Sequence, residues 1–227
     1  MIVLGIETSS RWSGVALAGP EGLLGEFHLQ EGGRTEHLHL LTVRLFEAAG
    51  LAPGSIGGVA VSLGPGSFTG LRIGLAAAKG LALARGCPVV GIPLPPVLAE
   101  AALPWKGETE VWIDAGRGEA HGTLFRAGGE TAPGRTARPE ELLRRTGADE
   151  VLFVGNGAIR YREKIEEGLG PRALFLGGRR NYPDAARIAL RGYARLAGGG
   201  EGDGVDDLEP LYLRGADAAK PAKGRRR

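Results

Sequence analysis

Residues 59–80 read VAVSLGPGSFTGLRIGLAAAKG, and they set the frame for the rest of the chain. Val59 to Leu63 is an apolar, β-branched run of strand length, broken by Gly64-Pro65-Gly66. A helix with small residues along one side follows. A strand, a glycine turn and a helix start can hold an anion on backbone N–H groups, or can bring two backbones close together. Gly64, Gly66 and Ser67 are the candidate phosphate-facing positions. Equally, Ser67 or Thr69 would cap the helix in a plain strand-to-helix turn. Gly70, Gly74 and Ala78 recur every four residues and make a smooth helix face. A glycine inside a helix costs about 1 kcal/mol relative to alanine, so this stripe needs a compensating contact. The reading favours a partner chain over an internal contact, with Leu71, Ile73 and Leu75 supplying apolar surface beside it.

Upstream, residues 2–6 are apolar and end at Glu7. The polar turn Thr8-Ser9-Ser10-Arg11 leads to a second strand at 14–18, the turn Gly19-Pro20-Glu21-Gly22, and a third strand at 23–30. A helix is expected over about 35–49, with Leu38, Leu41, Leu45 and Ala49 as its apolar stripe and Gly50 as its stop. Downstream, a helix over 67–85 and a short strand over 89–92 complete the half, and Pro93, Pro95 and Pro96 close it. The order β-β-β-α-β-α matches neither a βαβαβ nucleotide fold nor a TIM barrel. After residue 110 the pattern returns. Val111-Trp112-Ile113-Asp114 echoes Leu4-Gly5-Ile6-Glu7, and Gly122-Thr123-Leu124-Phe125 echoes Gly14-Val15-Ala16-Leu17. Duplication is favoured over coincidence. The later half is looser: a short helix over 139–145, a strand over 151–154, a helix over 158–167, a strand over 173–176, a helix over 184–196 and an extended piece over 208–213.

The chain has 227 residues, 43% of them hydrophobic, which suffices for a sizeable core. A formal net charge of +2 argues against a dedicated nucleic-acid binder. Cys87 is the only cysteine, which excludes an internal disulfide, zinc fingers and cysteine redox pairs, and points to a cytosolic home. The N-terminus lacks a basic n-region, so no signal peptide is expected, and no apolar run reaches membrane-spanning length. Two asparagines, one glutamine and many arginines suggest a thermophilic source.

Glu7 and Asp114 end equivalent strands. In ATP-clefted folds built from two such halves, acids at these places position metal and water beside the phosphates, and Thr8 and Ser9 could serve as phosphate contacts. The plainer reading, a strand-end acid that caps the next turn, stands slightly ahead. His37 and His39 lie about 200° apart on a helix and cannot share a metal. No HxxxH, HExxH or Gly-x-Ser-x-Gly motif occurs. The residues offer a cleft without a convincing catalytic set.

Ile6-Glu7-Thr8-Ser9, Ser13 to Leu17, Glu36-His37-Leu38-His39-Leu40-Leu41, Gly64 to Gly74, Lys79-Gly80-Leu81-Ala82, Ile113-Asp114-Ala115, Gly118-Glu119 and Pro210 to Arg214 together resemble the TsaB (YeaZ) family. The resemblance implies an α/β fold of the actin/Hsp70/sugar-kinase type, two duplicated ribonuclease-H-like lobes. It implies a first lobe at 1–99 with partner-binding helices and a second, looser lobe at 100–215 whose C-terminal segment can pack back on the first. A disordered basic tail is expected at 216–227. The implied role is a non-catalytic accessory subunit in making threonylcarbamoyladenosine next to the anticodon of tRNAs that read ANN codons. It would pair with a TsaD-like catalytic paralogue, a TsaE-like ATPase would join, and the chain alone would form a homodimer. The docking residues on this reading are His37, Leu41, Leu45, Phe68, Gly70, Leu71, Gly74, Leu75 and Ala78. Glu7, Thr8, Ser9, Gly64, Gly66, Ser67 and Asp114 would form a vestigial nucleotide cleft. No cofactor is expected on the chain itself; ATP or ADP and magnesium would be held mainly by partners, and tRNA would be met through the complex. The paralogue's His-x-x-x-His metal pair would fall near Leu94 and Leu98 here, and leucine cannot ligate a metal. A free-standing ATP-dependent enzyme is the runner-up, and a peptidase ranks last.

Overall fold

The structure is a computed structural model that describes residues 1–30, 36–126, 129–147 and 149–213. The basic tail expected at 216–227 lies outside the described residues.

β1 (Ile2–Glu7) and β2 (Trp12–Gly19) form an antiparallel hairpin, and β3 (Gly22–Gln30) pairs with the outer side of β2. After α1 (Glu36–Ala48), β4 (Ile56–Gly64) lies parallel to β1; after α2 (Phe68–Arg85), β5 (Val89–Pro93) lies parallel to β4. α3 (Leu94–Glu100) leads to a second sheet. There β6 (Glu108–Gly116), β7 (Glu119–Arg126) and β8 (Gly129–Ala137) repeat the antiparallel set. α4 (Pro139–Leu143) precedes β9 (Val151–Val154), which is parallel to β6. α5 (Asn156–Arg160) and α6 (Arg162–Leu169) then lead to β10 (Ala173–Phe175), parallel to β9. The strand orders are β3-β2-β1-β4-β5 and β8-β7-β6-β9-β10, which are the same topology twice. The chain therefore has the actin/Hsp70/sugar-kinase fold, with two duplicated ribonuclease-H-like lobes. The echo in the sequence is the pair of central strands, β1 and β6.

The central strands of each sheet are buried on both faces. Leu4, Ile6, Val15 and Val59 pack with Leu45 and Phe46 of α1 and with Leu75 and Ala78 of α2. On the opposite face lies α7 (Ala185–Ala197), started by Asp184, whose side chain accepts from the Arg187 N–H. This helix sits almost on the strands. A Cβ at Gly5 would lie 2.5 Å from the Ala189 nitrogen, which is why the middle of β1 carries no side chain there. A shared core runs between the sheets through Val90, Ile92, Leu94, Leu98, Val111 and Ile113. The outer face of the second sheet packs Trp112, Phe153, Leu142 and Ile165.

The structure departs from the sequence expectation in four places. Pro95 and Pro96 do not end an element; they sit in the first turn of α3, where a missing N–H costs nothing. The segment after residue 128 is a full strand, β8, although GETAPGRTA has no apolar alternation. The single helix expected at 158–167 is broken at Tyr161 into α5 and α6. The piece at 208–213 joins no sheet as a strand. Leu208 enters the first lobe's core, and the Leu211 N–H donates to the Leu63 carbonyl at 2.8 Å.

Candidate functional site

The ends of β1 and β6 and the start of α2 surround a cleft of about 540 Å³. Thr8, Ser9, Gly66, Ser67 and Asp114 line it. Glu7 and Gly64 are buried and do not line it. Gly64 adopts φ +94°, which suits glycine and lets β4 turn sharply into α2. A Cβ on Gly66 would sit 2.6 Å from the Ser9 carbonyl oxygen. The Ser67 N–H donates to that same oxygen at 2.7 Å, the Ser67 hydroxyl caps α2 by accepting from the Gly70 N–H, and the Thr8 hydroxyl donates to the Gly70 carbonyl at 2.8 Å. The glycine turn thus brings the turn after β1 and the start of α2 into direct contact.

The two strand-end acids are both engaged. Glu7 accepts from the Ser9 N–H at 2.6 Å and from the Ser9 hydroxyl at 2.5 Å. Burial pushes its carboxyl up to about 7, against the opposing pull of the Ser9 and Ser62 hydroxyls and the Ser9 N–H. Its Oε2 and the Ser62 hydroxyl make no hydrogen bond of good geometry, so burial dominates. Asp114, at the cleft edge, accepts from the Gly116 N–H at 3.0 Å, from Arg160 Nη1 at 2.9 Å and from the Tyr161 hydroxyl at 3.3 Å. The Asn156 side chain accepts from the Asp114 N–H, and Asn181 accepts from the Gly155 N–H, so the two asparagines brace the second lobe's side of the cleft. Nothing in the sequence pointed to that bracing.

The described residues of this cleft do not assemble a protein-only metal site. Leu94 and Leu98 line the cleft at the positions where the resemblance sets a histidine pair. Both carboxylates are held by neighbouring protein groups. Among the described residues, no group of three or more His, Cys, Asp or Glu side chains could ligate an ion.

The residues named for docking divide between interior and surface. Leu45, Leu71, Gly74, Leu75 and Ala78 are buried within the first lobe. Gly70 is half-buried, and a Cβ there would collide with the Thr8 carbonyl; one on Gly74 would collide with the Thr8 hydroxyl. The contact that compensates these two glycines is therefore internal. The expectation that this stripe faces a partner is corrected: at Gly70 and Gly74 it faces Thr8 of the same chain. His37 and Leu41 are half-buried, and Phe68 is exposed.

The outward face of α2 carries a different stripe, Phe68, Arg72, Ala76, Gly80 and Leu83. A Cβ on Gly80 would meet only open space, and Leu83 is 68% exposed. At its N-terminal end, the Arg72 guanidinium lies over the Phe68 ring at 3.7 Å, and its Nε donates to the Tyr212 hydroxyl at 3.2 Å. On α1, Leu40 is exposed. The inward and outward stripes of α2 share one four-residue period, so spacing alone does not separate them.

Three comparisons place the chain among known proteins. The family model for "TsaD: tRNA N6-adenosine threonylcarbamoyltransferase" matches residues 33–167, more than half of the chain. The tRNA threonylcarbamoyladenosine biosynthesis protein TsaB of Bacillus subtilis (strain 168) is 26% identical over 96% of this chain and 96% of its own length. The protein of the same description from Escherichia coli (strain K12) is 28% identical over 99% of this chain and 100% of its own. Among solved structures, YeaZ from Pseudomonas aeruginosa superposes with a TM-score of 0.77 at 24% identity, covering 93% of this chain and 99% of that one, and so supports the fold. The chain belongs to the TsaB (YeaZ) family, within the wider group of threonylcarbamoyltransferase-related chains that the matched model describes.

Proposed function

We propose that this chain is an accessory subunit of tRNA threonylcarbamoyladenosine biosynthesis, and that it works with a TsaD-like catalytic paralogue. The carrying observation is its similarity to TsaB proteins along nearly the whole length of both chains. The cleft agrees with a supporting role. Glu7 is sealed inside, Asp114 is tied to Arg160, and leucines stand at the cleft positions 94 and 98.

On this reading the paralogue docks on the outward faces of α1 and α2. Phe68 and Leu83 are its apolar anchors, Ala76 and Gly80 let a partner helix approach, and His37 and Leu41 lie at the margin. Docking would favour the paralogue's active form through contacts made only in that form. A TsaE-like ATPase joining the pair, self-association of the free chain, and a cytoplasmic setting belong to the same reading. Reconstitution tests it. Purified paralogue with tRNA, threonine, bicarbonate and ATP, supplied with threonylcarbamoyl-adenylate synthase, should modify tRNA strongly only when this chain is added. Equal modification without it would refute the assignment.

A further inference from the structure

The inner faces of the two sheets are covered to different extents. Each is crossed by the helix that follows the last strand of the other sheet, α7 after β10 and α3 after β5. α7 has 13 residues, and its Ala185 and Ala189 pack on Ala16 and Ala18 of β2. α3 has seven, and its Leu94 and Leu98 pack with Val111 and Ile113 of β6. Beyond α3, two cavities lie along β7. One, of about 500 Å³, is bounded by His121, Thr123 and the chain segment at 211–213; the other, of about 340 Å³, is bounded by Phe125 and Trp105. Pro96 and Glu130 line both, so the two form one groove.

The groove holds an unmet polar group and an unmet charge. Thr123 is 1% exposed, and its hydroxyl has no hydrogen-bond partner among the described residues. A buried hydroxyl in that state works against the fold until something meets it. Arg126, Arg135 and Arg191 on the rim are paired with Glu108, Glu141 and Glu100, whereas Glu130 has no ion pair among the described residues. His121, with its Nδ1 3.2 Å from the Thr136 hydroxyl, has its pKa lowered by burial and then by Arg145, so the floor offers no positive charge to repel a cation.

The chain itself supplies a fitting occupant. Leu213 lines the groove, and the sequence continues from it as RGADAAKPAKGRRR, residues 214–227, which lie outside the described residues. β7 runs about 17 Å from His121 to Arg126, at roughly 3.3 Å per residue, and the continuing chain is long enough to follow it. It opens with Gly215, Ala216, Ala218 and Ala219, side chains as small as the alanines with which α7 covers β2. Lys220 and Lys223 come next. We propose that residues 214–222 lie in this groove, with Lys220 against Glu130 and the Thr123 hydroxyl donating to a backbone carbonyl of the segment. A segment tethered at the groove's mouth binds at high effective concentration, which favours it over a second copy or another protein. Leu208 and Leu211 hold the preceding residues to the first lobe, so the docked segment fastens the two lobes together.

Hydrogen exchange of the full chain, read by mass spectrometry on the C-terminal peptide, tests it. Amides of 216–222 should exchange about fiftyfold more slowly than in a free peptide of the same sequence, at any protein concentration and with or without the paralogue. Lys220→Glu, which sets two carboxylates together and leaves the folded body untouched, should bring exchange to within about threefold of the free peptide. Adding Glu130→Lys to that variant should restore the protection by reversing the pair. Phe68→Asp should leave the protection as it is, so failure of this inference and failure of the docking reading are separable. Exchange at the free-peptide rate in the wild type, or protection indifferent to Lys220→Glu, would overturn the proposal. So would protection that appears only at high concentration, which assigns the segment to a second copy, or only with the paralogue.

Discussion

The strand-end acids of the two lobes occupy one topological position in two environments. Glu7 lies buried beneath the cleft, bonded to Ser9. Asp114 stands at the cleft edge and is held by Arg160 and Tyr161. The surroundings differ in the same sense. The second lobe binds its sheet with ion pairs: Arg126 to Glu108 at 2.7 Å, and Arg145 to Glu110 through two parallel bonds at 2.8 and 2.9 Å. The first lobe presents Phe27, Leu29, Leu40, Phe68 and Leu83 to solvent. After β4 comes an 18-residue helix with two usable faces; after β9 come two short helices split at Tyr161. Duplication kept the strand order and let the surfaces diverge. The second lobe ties its central strand with ion pairs, and the first gathers exposed apolar side chains on β3 and on the outward faces of α1 and α2.

Several substitutions can break that contrast. The largest effect should come from Arg145→Met. Glu110 is fully buried and takes all its charged partnership from Arg145, with Trp112 Nε1 adding one bond. Removing the guanidinium strands a carboxyl already raised above its usual range by burial, and should cost about 4 kcal/mol in denaturant unfolding. A cost under about 1 kcal/mol would show the second lobe does not depend on this pair. Next comes Gly74→Leu, which drives a side chain into Thr8 and should cost about 3 kcal/mol. Gly80→Leu, pointing into open space on the same helix, should leave the melting temperature unchanged or higher, because leucine favours helix by about 1 kcal/mol over glycine. It should weaken paralogue binding instead. If both variants behave alike, the inward and outward faces of α2 have been misread.

Glu7 gives a pH signature. Its carboxyl titrates near 7 when folded and near 4.5 when unfolded, so the folded state binds more protons between those values. Stability is full below pH 4.5, falls as pH rises through 7, and is flat beyond. The loss is on the order of 3 kcal/mol. Glu7→Gln should flatten that part of the profile and be the more stable form at pH 8. Asp114→Asn is the smallest change. Its partner Arg160 is well exposed, so the effect should stay within about 1 kcal/mol at any pH. A larger loss for Asp114→Asn than for Glu7→Gln would invert the comparison.

Much of the first lobe was legible in the residues, because β1, β4 and β5 are rich in Val and Ile and α2 has both a cap and a stop. α2 begins one residue after Ser67 and is closed by Gly86 in the left-handed conformation, as a capping serine and a C-terminal glycine dictate. β8 was not legible, since it pairs through its backbone and exposes side chains with no period. α3 was hidden by prolines that suit a helix start as well as a loop. The cleft residues were found from strand ends and turn glycines, which are local signals. The burial of Glu7 was not, because it depends on packing over the whole chain. The direction of the glycine stripe failed for a related reason. A period of four identifies a close contact without saying what makes it, and Thr8 lies far away in sequence.

On the proposed reading, the outward face of the first lobe carries the function and the cleft does not. Calorimetric titration of the TsaD-like paralogue with three forms of this chain tests it most directly: wild type, Phe68→Asp/Leu83→Asp, and Glu7→Gln/Asp114→Asn. The prediction is that the cleft variant binds like the wild type and supports equal tRNA modification, while the helix variant loses at least about a hundredfold in affinity and its modification falls in step. Unimpaired binding by the helix variant, together with lost modification by the cleft variant, would contradict it.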